Sequence, residues 1–137
     1  MDGAELLFGG VPLKNHNIPT CYGSYEPTAV YVPLKHFRSA KKRQLLTTEL
    51  FGPFQIVTTY GSNELEKVLD VMESCPHHLT ASCVSNDVLF TDKILGETVN
   101  GVTYHGYRGR TTGAPQNHWF GPTGDPRGAG IGTPYAI

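Results

Sequence analysis

Cysteine, long apolar runs and an excess of charge of one sign are all scarce in this chain, and each shortage removes a class of protein. Three cysteines, Cys21, Cys75 and Cys83, are odd in number and irregularly spaced. They build no disulfide framework and read as reduced thiols of an intracellular protein. No stretch approaches the roughly 20 apolar residues of a transmembrane helix, so no membrane partner is expected. The opening MDGAELLFGG has neither the basic and apolar regions of a secretory signal nor the Arg- and Ser-rich character of a transit peptide. Net charge is -1, and the only tight basic run is Lys41-Lys42-Arg43. It lacks interleaved aromatics, so no nucleic-acid partner is expected, and the run reads as a solvated loop or helix end.

What is present is enough for one domain, residues 1–137, with a modest core. Glu5 to Phe8 suits a short strand closed by Gly9-Gly10, and prolines 12, 19 and 27 mark a meandering loop after it. Residues 28–32 (TAVYV) are β-branched and aromatic, a strand stopped by Pro33. Residues 34–46 show no clear apolar period and stay ambiguous. Residues 48–53 form a turn carrying Glu49 beside Phe51. The pattern then becomes regular, with a strand over 54–60 and a turn at Gly61-Ser62. A helix follows, with Asn63 as N-cap and Glu66 closing a capping box. Leu65, Val68, Leu69 and Met72 make one apolar stripe, and Pro76 forbids continuation. A second strand spans 79–84. Asn86-Asp87 begins a short helix that Gly96 ends, and a third strand spans 99–104. This β-α-β-α-β order predicts an α/β fold with parallel strands joined by crossovers.

The third strand runs into the most distinctive stretch, Arg108 to Gly132 (RGRTTGAPQNHWFGPTGDPRGAGIG), which holds the only tryptophan. Glycine permits positive φ and close approach of a ligand, while proline fixes other φ angles. Gln116, Asn117, His118, Trp119 and Phe120 argue for order, because disordered tails are poor in aromatics. Ligands of parallel sheets bind beyond the carboxyl ends of the strands, where this loop departs. It reads as an ordered loop lining a site; a glycine-rich linker is the alternative.

Other motifs carry less. Cys75, His77, His78 and Cys83 match no usual zinc spacing, so no metal is expected, and a turn with solvated histidines is preferred. Cys83 reads as buried, Cys75 ends a helix whose dipole disfavours a thiolate, and Cys21 lies in an irregular region; none is a persuasive nucleophile. Gly128, Gly130 and Gly132 precede no helix, so a phosphate cradle is not expected. No catalytic residue is assigned.

Glu49-Leu50-Phe51-Gly52-Pro53 nevertheless matches the E-x-F-G-P motif of the aldehyde dehydrogenase superfamily. Val99-Asn100 resembles that family's strand-end V-N, and Phe120-Gly121 with Ala129-Gly130-Ile131-Gly132 resembles its P-F-G-G…S-G-x-G segment. TTGAPQNHWFGP and GDPRGAGIGTP are most similar to the plant-type Δ1-pyrroline-5-carboxylate dehydrogenases. The resemblance implies the C-terminal portion of a catalytic domain: a parallel β-α-β-α-β sheet followed by a long glycine-rich anchor loop. It implies NAD as cofactor, with Glu49 hydrogen-bonding the nicotinamide ribose and Phe51 packing beside the nicotinamide ring. It places the substrate anchor at Thr111, Thr112 and Gly113, which would hold an α-carboxylate, and Phe120 along the aldehyde path.

The implied reaction is oxidation of L-glutamate γ-semialdehyde to glutamate, in proline catabolism in the mitochondrial matrix, by an enzyme expected to be a homo-oligomer. The family's cysteine nucleophile, general-base glutamate and cofactor domain have no counterpart in the chain, which is therefore expected to be inactive alone and cut at both ends. Pro122 and Ala129 depart from the superfamily pattern. The alternative function is a non-catalytic remnant acting as a binding or accessory subunit.

Overall fold

The computed structural model describes residues 1–78, 80–100 and 102–107. The chain divides into two compact units, Met1–Val68 and Leu69–Ile137.

The first unit is built on three strands, β1 (Glu5–Phe8), β2 (Thr28–Tyr31) and β3 (Phe54–Val57), in the order β1-β2-β3. β1 lies antiparallel to β2, with an irregular register between Leu6 and Phe8. β2 and β3 are parallel, Thr28 opposite Phe54 and Tyr31 opposite Val57. Flanked on both sides, β2 is the strand that buries: Thr28 and Ala29 lie in the core with Val32, His36 and Phe37. Burying the Phe37 ring contributes roughly 1.5–3 kcal/mol. The residues left ambiguous by periodicity form the β2-to-β3 crossover, a 3-10 turn at Leu34–Arg38 and helix α1 (Ala40–Thr47). α1 buries none of its residues, so no core-facing stripe existed for periodicity to find. Gly9 and Gly10 both take positive φ, +78°, closing β1 as expected.

Helix α2 (Leu65–Glu73) follows a 3-10 turn at Ser62–Glu64. Its entry is not the expected Asn63/Glu66 box. Glu64 closes it two residues earlier, accepting from the Gly61 N–H at 3.2 Å and pairing with Lys67 at 3.1 Å. The apolar stripe holds, with Leu69 buried and Leu65, Val68 and Met72 half-buried.

In the second unit, β4 (Thr80–Cys83) and β5 (Val102–His105) run parallel and are joined by α3 (Val88–Glu97). Asp87 caps α3, its carboxylate accepting from the Phe90 N–H at 3.0 Å. The helix continues through Gly96 to Glu97 and turns out at Thr98, whose N–H bonds the Ile94 carbonyl, so Gly96 does not end it. Parallel pairing is thus present in both units, β2 with β3 and β4 with β5. The expected succession through 54–60, 79–84 and 99–104 falls into two sheets, because β3 pairs with β2. No helix among the described residues is long and apolar enough to cross a membrane.

Candidate functional site

The candidate site on the first unit is the turn that joins α1 to β3, and its shape follows from how its ends are held. At the helix end, Thr47 and Thr48 donate their hydroxyls back to the carbonyls of Arg43 and Gln44, at 3.0 and 2.6 Å. The Thr48 N–H also bonds the Gln44 carbonyl, at 3.1 Å. At the strand end, the Pro53 carbonyl accepts from the Thr28 N–H at 2.7 Å, tying the turn to the first residue of β2. Between these anchors the Gly52 N–H bonds the Leu50 carbonyl, and the Phe54 N–H bonds the Gly52 carbonyl, at 2.9 and 2.8 Å. Tight backbone loops of this kind leave the intervening side chains no room inside. Glu49, Leu50 and Phe51 are accordingly exposed, Phe51 at 97%. A Cβ on Gly52 would sit 3.0 Å from the Phe54 ring, so any side chain there would have to displace that ring slightly.

Beside the turn lies an open groove of about 310 Å³ lined by Phe8, Pro27, Thr28, Gly52, Pro53, Phe54 and Gln55. Two of its lining residues, Pro27 and Thr28, cross tightly against Gly9. The Thr28 hydroxyl accepts from the Gly10 N–H and donates to the Glu26 carbonyl, both at 2.8 Å. A Cβ on Gly9 would lie 2.1 Å from the Pro27 carbonyl oxygen. Thr28 therefore positions both the groove and the motif turn. Two of its partners, Gly10 and Pro53, are long-range in sequence and nothing local announces them; the adjacent glycines were the only visible trace.

On the second unit, the ends of β4 and β5 lie together. Cys83 is opposite His105, and the Gly106 N–H bonds the Cys83 carbonyl at 3.1 Å. The chain leaves the carboxyl end of this parallel pair at Gly106, φ +98°, heading into the glycine-rich stretch. Thr111, Thr112, Gly113 and Phe120, the residues expected to anchor substrate, lie outside the described residues.

The cysteine and histidine cluster behaves differently from expectation in one respect. His77 is exposed, but His78 is 94% buried, so the two are not a solvated pair. Its Nε2–H donates to the Met72 carbonyl in the last turn of α2, at 3.1 Å. A histidine shortly after a helix end is a recognisable C-terminal cap, and that signal was available in the sequence. Cys75 donates to the Val71 carbonyl at 3.6 Å, and burial pushes its thiol above the ordinary cysteine value, against a nucleophilic role. Cys83 is buried and Cys21 exposed.

Comparison with known proteins places this geometry in context. No family model matches the chain. A probable aldehyde dehydrogenase of Linum usitatissimum is 62% identical over 135 residues, covering 98% of this chain and 24% of the relative. Delta-1-pyrroline-5-carboxylate dehydrogenase 12A1, mitochondrial, of Arabidopsis thaliana is 61% identical over 136 residues, again 98% of this chain and 24% of the relative. The matches fall in the C-terminal part of those longer proteins. The chain spans about a quarter of the length of the curated relatives it matches. The resemblance read from E-x-F-G-P and the glycine motifs thus holds along almost the entire sequence.

Proposed function

We propose that this chain, by sequence a member of the aldehyde dehydrogenase superfamily, supplies a cofactor contact and a substrate anchor to an NAD-dependent oxidation of L-glutamate γ-semialdehyde to glutamate. The observation that carries this reading is 61–62% identity along 98% of the chain to relatives named for aldehyde and Δ1-pyrroline-5-carboxylate dehydrogenation.

The turn geometry fits the cofactor side. Glu49 presents an exposed carboxylate on a backbone fixed at Thr48 and Pro53. An ionised carboxylate accepts strongly from two adjacent hydroxyls, the chemistry a ribose diol offers. Phe51 presents a bare ring two residues on, suited to lie beside a flat heteroaromatic ring and keep water from its face. NAD, when bound, supplies the hydride acceptor. Glu49 orients it through the ribose, and Phe51 limits its tilt. Holding reactants in register in this way lowers the entropic part of a barrier.

On the substrate side the reading assigns Thr111, Thr112 and Gly113 to the α-carboxylate, through hydroxyls and backbone N–H groups that form an anion nest. Phe120 lines the aldehyde path. The covalent step needs an activated thiolate, and burial disfavours one at Cys75. The reading assigns the nucleophile outside this chain, which alone would not reduce NAD. The mitochondrial matrix is the proposed location, after the name of the Arabidopsis relative.

One observation favours a second reading, a non-catalytic binding or accessory subunit. Leu6, Leu7 and Phe8 of β1 and Phe54 and Ile56 of β3 are 41–55% exposed, more apolar strand surface than a lone domain usually leaves bare.

The test is to isolate the native product with an antibody to residues 110–132, weigh it under denaturing conditions and assay it. A species several times heavier than 15.0 kDa with semialdehyde-dependent NAD reduction is expected. A 15.0 kDa product without that activity would sink the dehydrogenase reading and leave the accessory one.

A further inference from the structure

The segment from Lys35 to Arg43 carries Lys35, Arg38, Lys41, Lys42 and Arg43, five cations in nine residues, and no acid occurs anywhere from residue 27 to residue 48. The structure gathers these cations on the 3-10 turn and α1 and gives them few counter-charges. Lys35 pairs with Asp2 at 3.0 Å, where both side chains are largely exposed. Arg38 acts on Glu64 only as a minor electrostatic neighbour. The Lys42 ammonium lies 3.4 Å from the His36 ring, whose other nitrogen donates to the Asp2 carbonyl at 2.6 Å. Lys41 and Arg43 have no ion-pair partner among the described residues.

α1 itself is short of internal support. It has eight residues and buries none of them, and its N-cap Ser39 makes no side-chain bond. An isolated helix of this length is unstable in water. Lys41, Lys42 and Arg43 also stand in its first turn, where the helix dipole disfavours positive charge. Thr47 and Thr48 fasten its far end, but the cation-bearing first turn breaks local rules without such help, and there an external partner is expected.

We propose that this face is an electrostatic docking surface for an anionic lipid bilayer. A cluster of four to eight Lys and Arg on a surface segment matches the charge density of such a membrane. Leu45, 68% exposed, stands one turn from Lys41 and Lys42 on the same side of α1, so one apolar contact lies among the cations. Nucleic acid fits less well. Phe37, the only aromatic among these cations, is buried, so no ring remains for base stacking.

The experiment is co-sedimentation of the 137-residue chain with vesicles of phosphatidylglycerol and phosphatidylcholine, against vesicles of phosphatidylcholine alone. Binding to the anionic vesicles should be at least about tenfold stronger and should weaken steeply with added salt. The variant K41Q/K42Q/R43Q removes three positive charges, with the Lys42 contact to His36 among the losses, and should lose on the order of 100-fold in affinity with an unchanged circular dichroism spectrum. L45S should lose only a few-fold. Equal binding to both vesicle types, or an unaltered triple variant, would overturn the proposal. Tighter binding to polyglutamate or to an oligonucleotide than to anionic vesicles would overturn it in favour of a macromolecular partner.

Discussion

Two helix-to-strand turns in this chain treat their chemistry-bearing residues in opposite ways. The turn from α1 to β3 carries Glu49 and Phe51, and the turn from α2 to β4 carries Cys75, His77 and His78. In the first, the fastening is done by threonine hydroxyls and by main chain, through Thr47, Thr48 and the Pro53 carbonyl. The distinctive side chains are left over and point to solvent. In the second, two of the distinctive side chains join the fastening, His78 bonding Met72 and Cys75 bonding Val71, alongside the Ser74 hydroxyl and the main chain. Residue type alone therefore does not mark a site; what the backbone has already satisfied decides whether a side chain is free to act.

The comparison can be broken most severely where the first turn is braced. Gly9→Ala sets a Cβ 2.1 Å from the Pro27 oxygen at a φ of +78°, and the backbone must move to relieve it. The expected loss is about 3 kcal/mol or more, read as a lowered urea midpoint. The dislodged Thr28 should also release Pro53 and slacken the motif turn.

The second connection gives the next largest effect. His78→Leu keeps much of the buried volume but removes one of two donors to the Met72 carbonyl, which keeps the Cys75 N–H at 3.2 Å, at an expected cost of about 1 kcal/mol. His78→Gln, which retains an N–H donor, should recover part of it. If Leu and Gln prove equally mild, the cap is incidental and the contrast between the turns fails.

A smaller effect lies at the entry of α2. The Lys67 ammonium, and then the Gly61 N–H, hold the Glu64 carboxyl below its ordinary value of 4.5. With the folded value depressed, its contribution is fully present above about pH 4.5 and is lost as pH falls through the folded value. Lys67→Gln removes the largest cause, so the acid-induced loss of helix signal should begin at higher pH than in the parent chain.

Legibility divides along the same physical lines. The short strands at Glu5–Phe8 and Thr28–Tyr31, the α2 stripe and the turn at residues 48–53 were readable because each is fixed by neighbours in sequence. Helix α1 was not readable, since it buries nothing and shows no period. The pairing of β3 with β2 was missed because partner choice is a long-range matter on which alternation is silent. Gly61 and Glu64 take the places expected of Asn63 and Glu66 because a 3-10 turn precedes the helix and shifts its start. Of the site, E-x-F-G-P was visible as a motif, while the Thr28 brace and the burial of His78 became evident only in three dimensions.

The smallest effect on folding should come from the residues with the strongest functional claim. Glu49→Gln and Phe51→Ser alter exposed side chains whose backbone is held by others, so each should change stability by less than about 0.5 kcal/mol. In a complete enzyme carrying this segment, Glu49→Gln should weaken NAD binding by roughly 1–2 kcal/mol, an apparent affinity about ten times lower, as an ionised acceptor is replaced by a neutral one. Phe51→Ser should act more on turnover than on affinity, because a ring that limits tilt matters most at the moment of transfer. Measuring both variants for stability and for NAD kinetics separates the two kinds of turn. A large stability loss at position 49 or 51 would mean that these side chains, like His78, are spent on the fold.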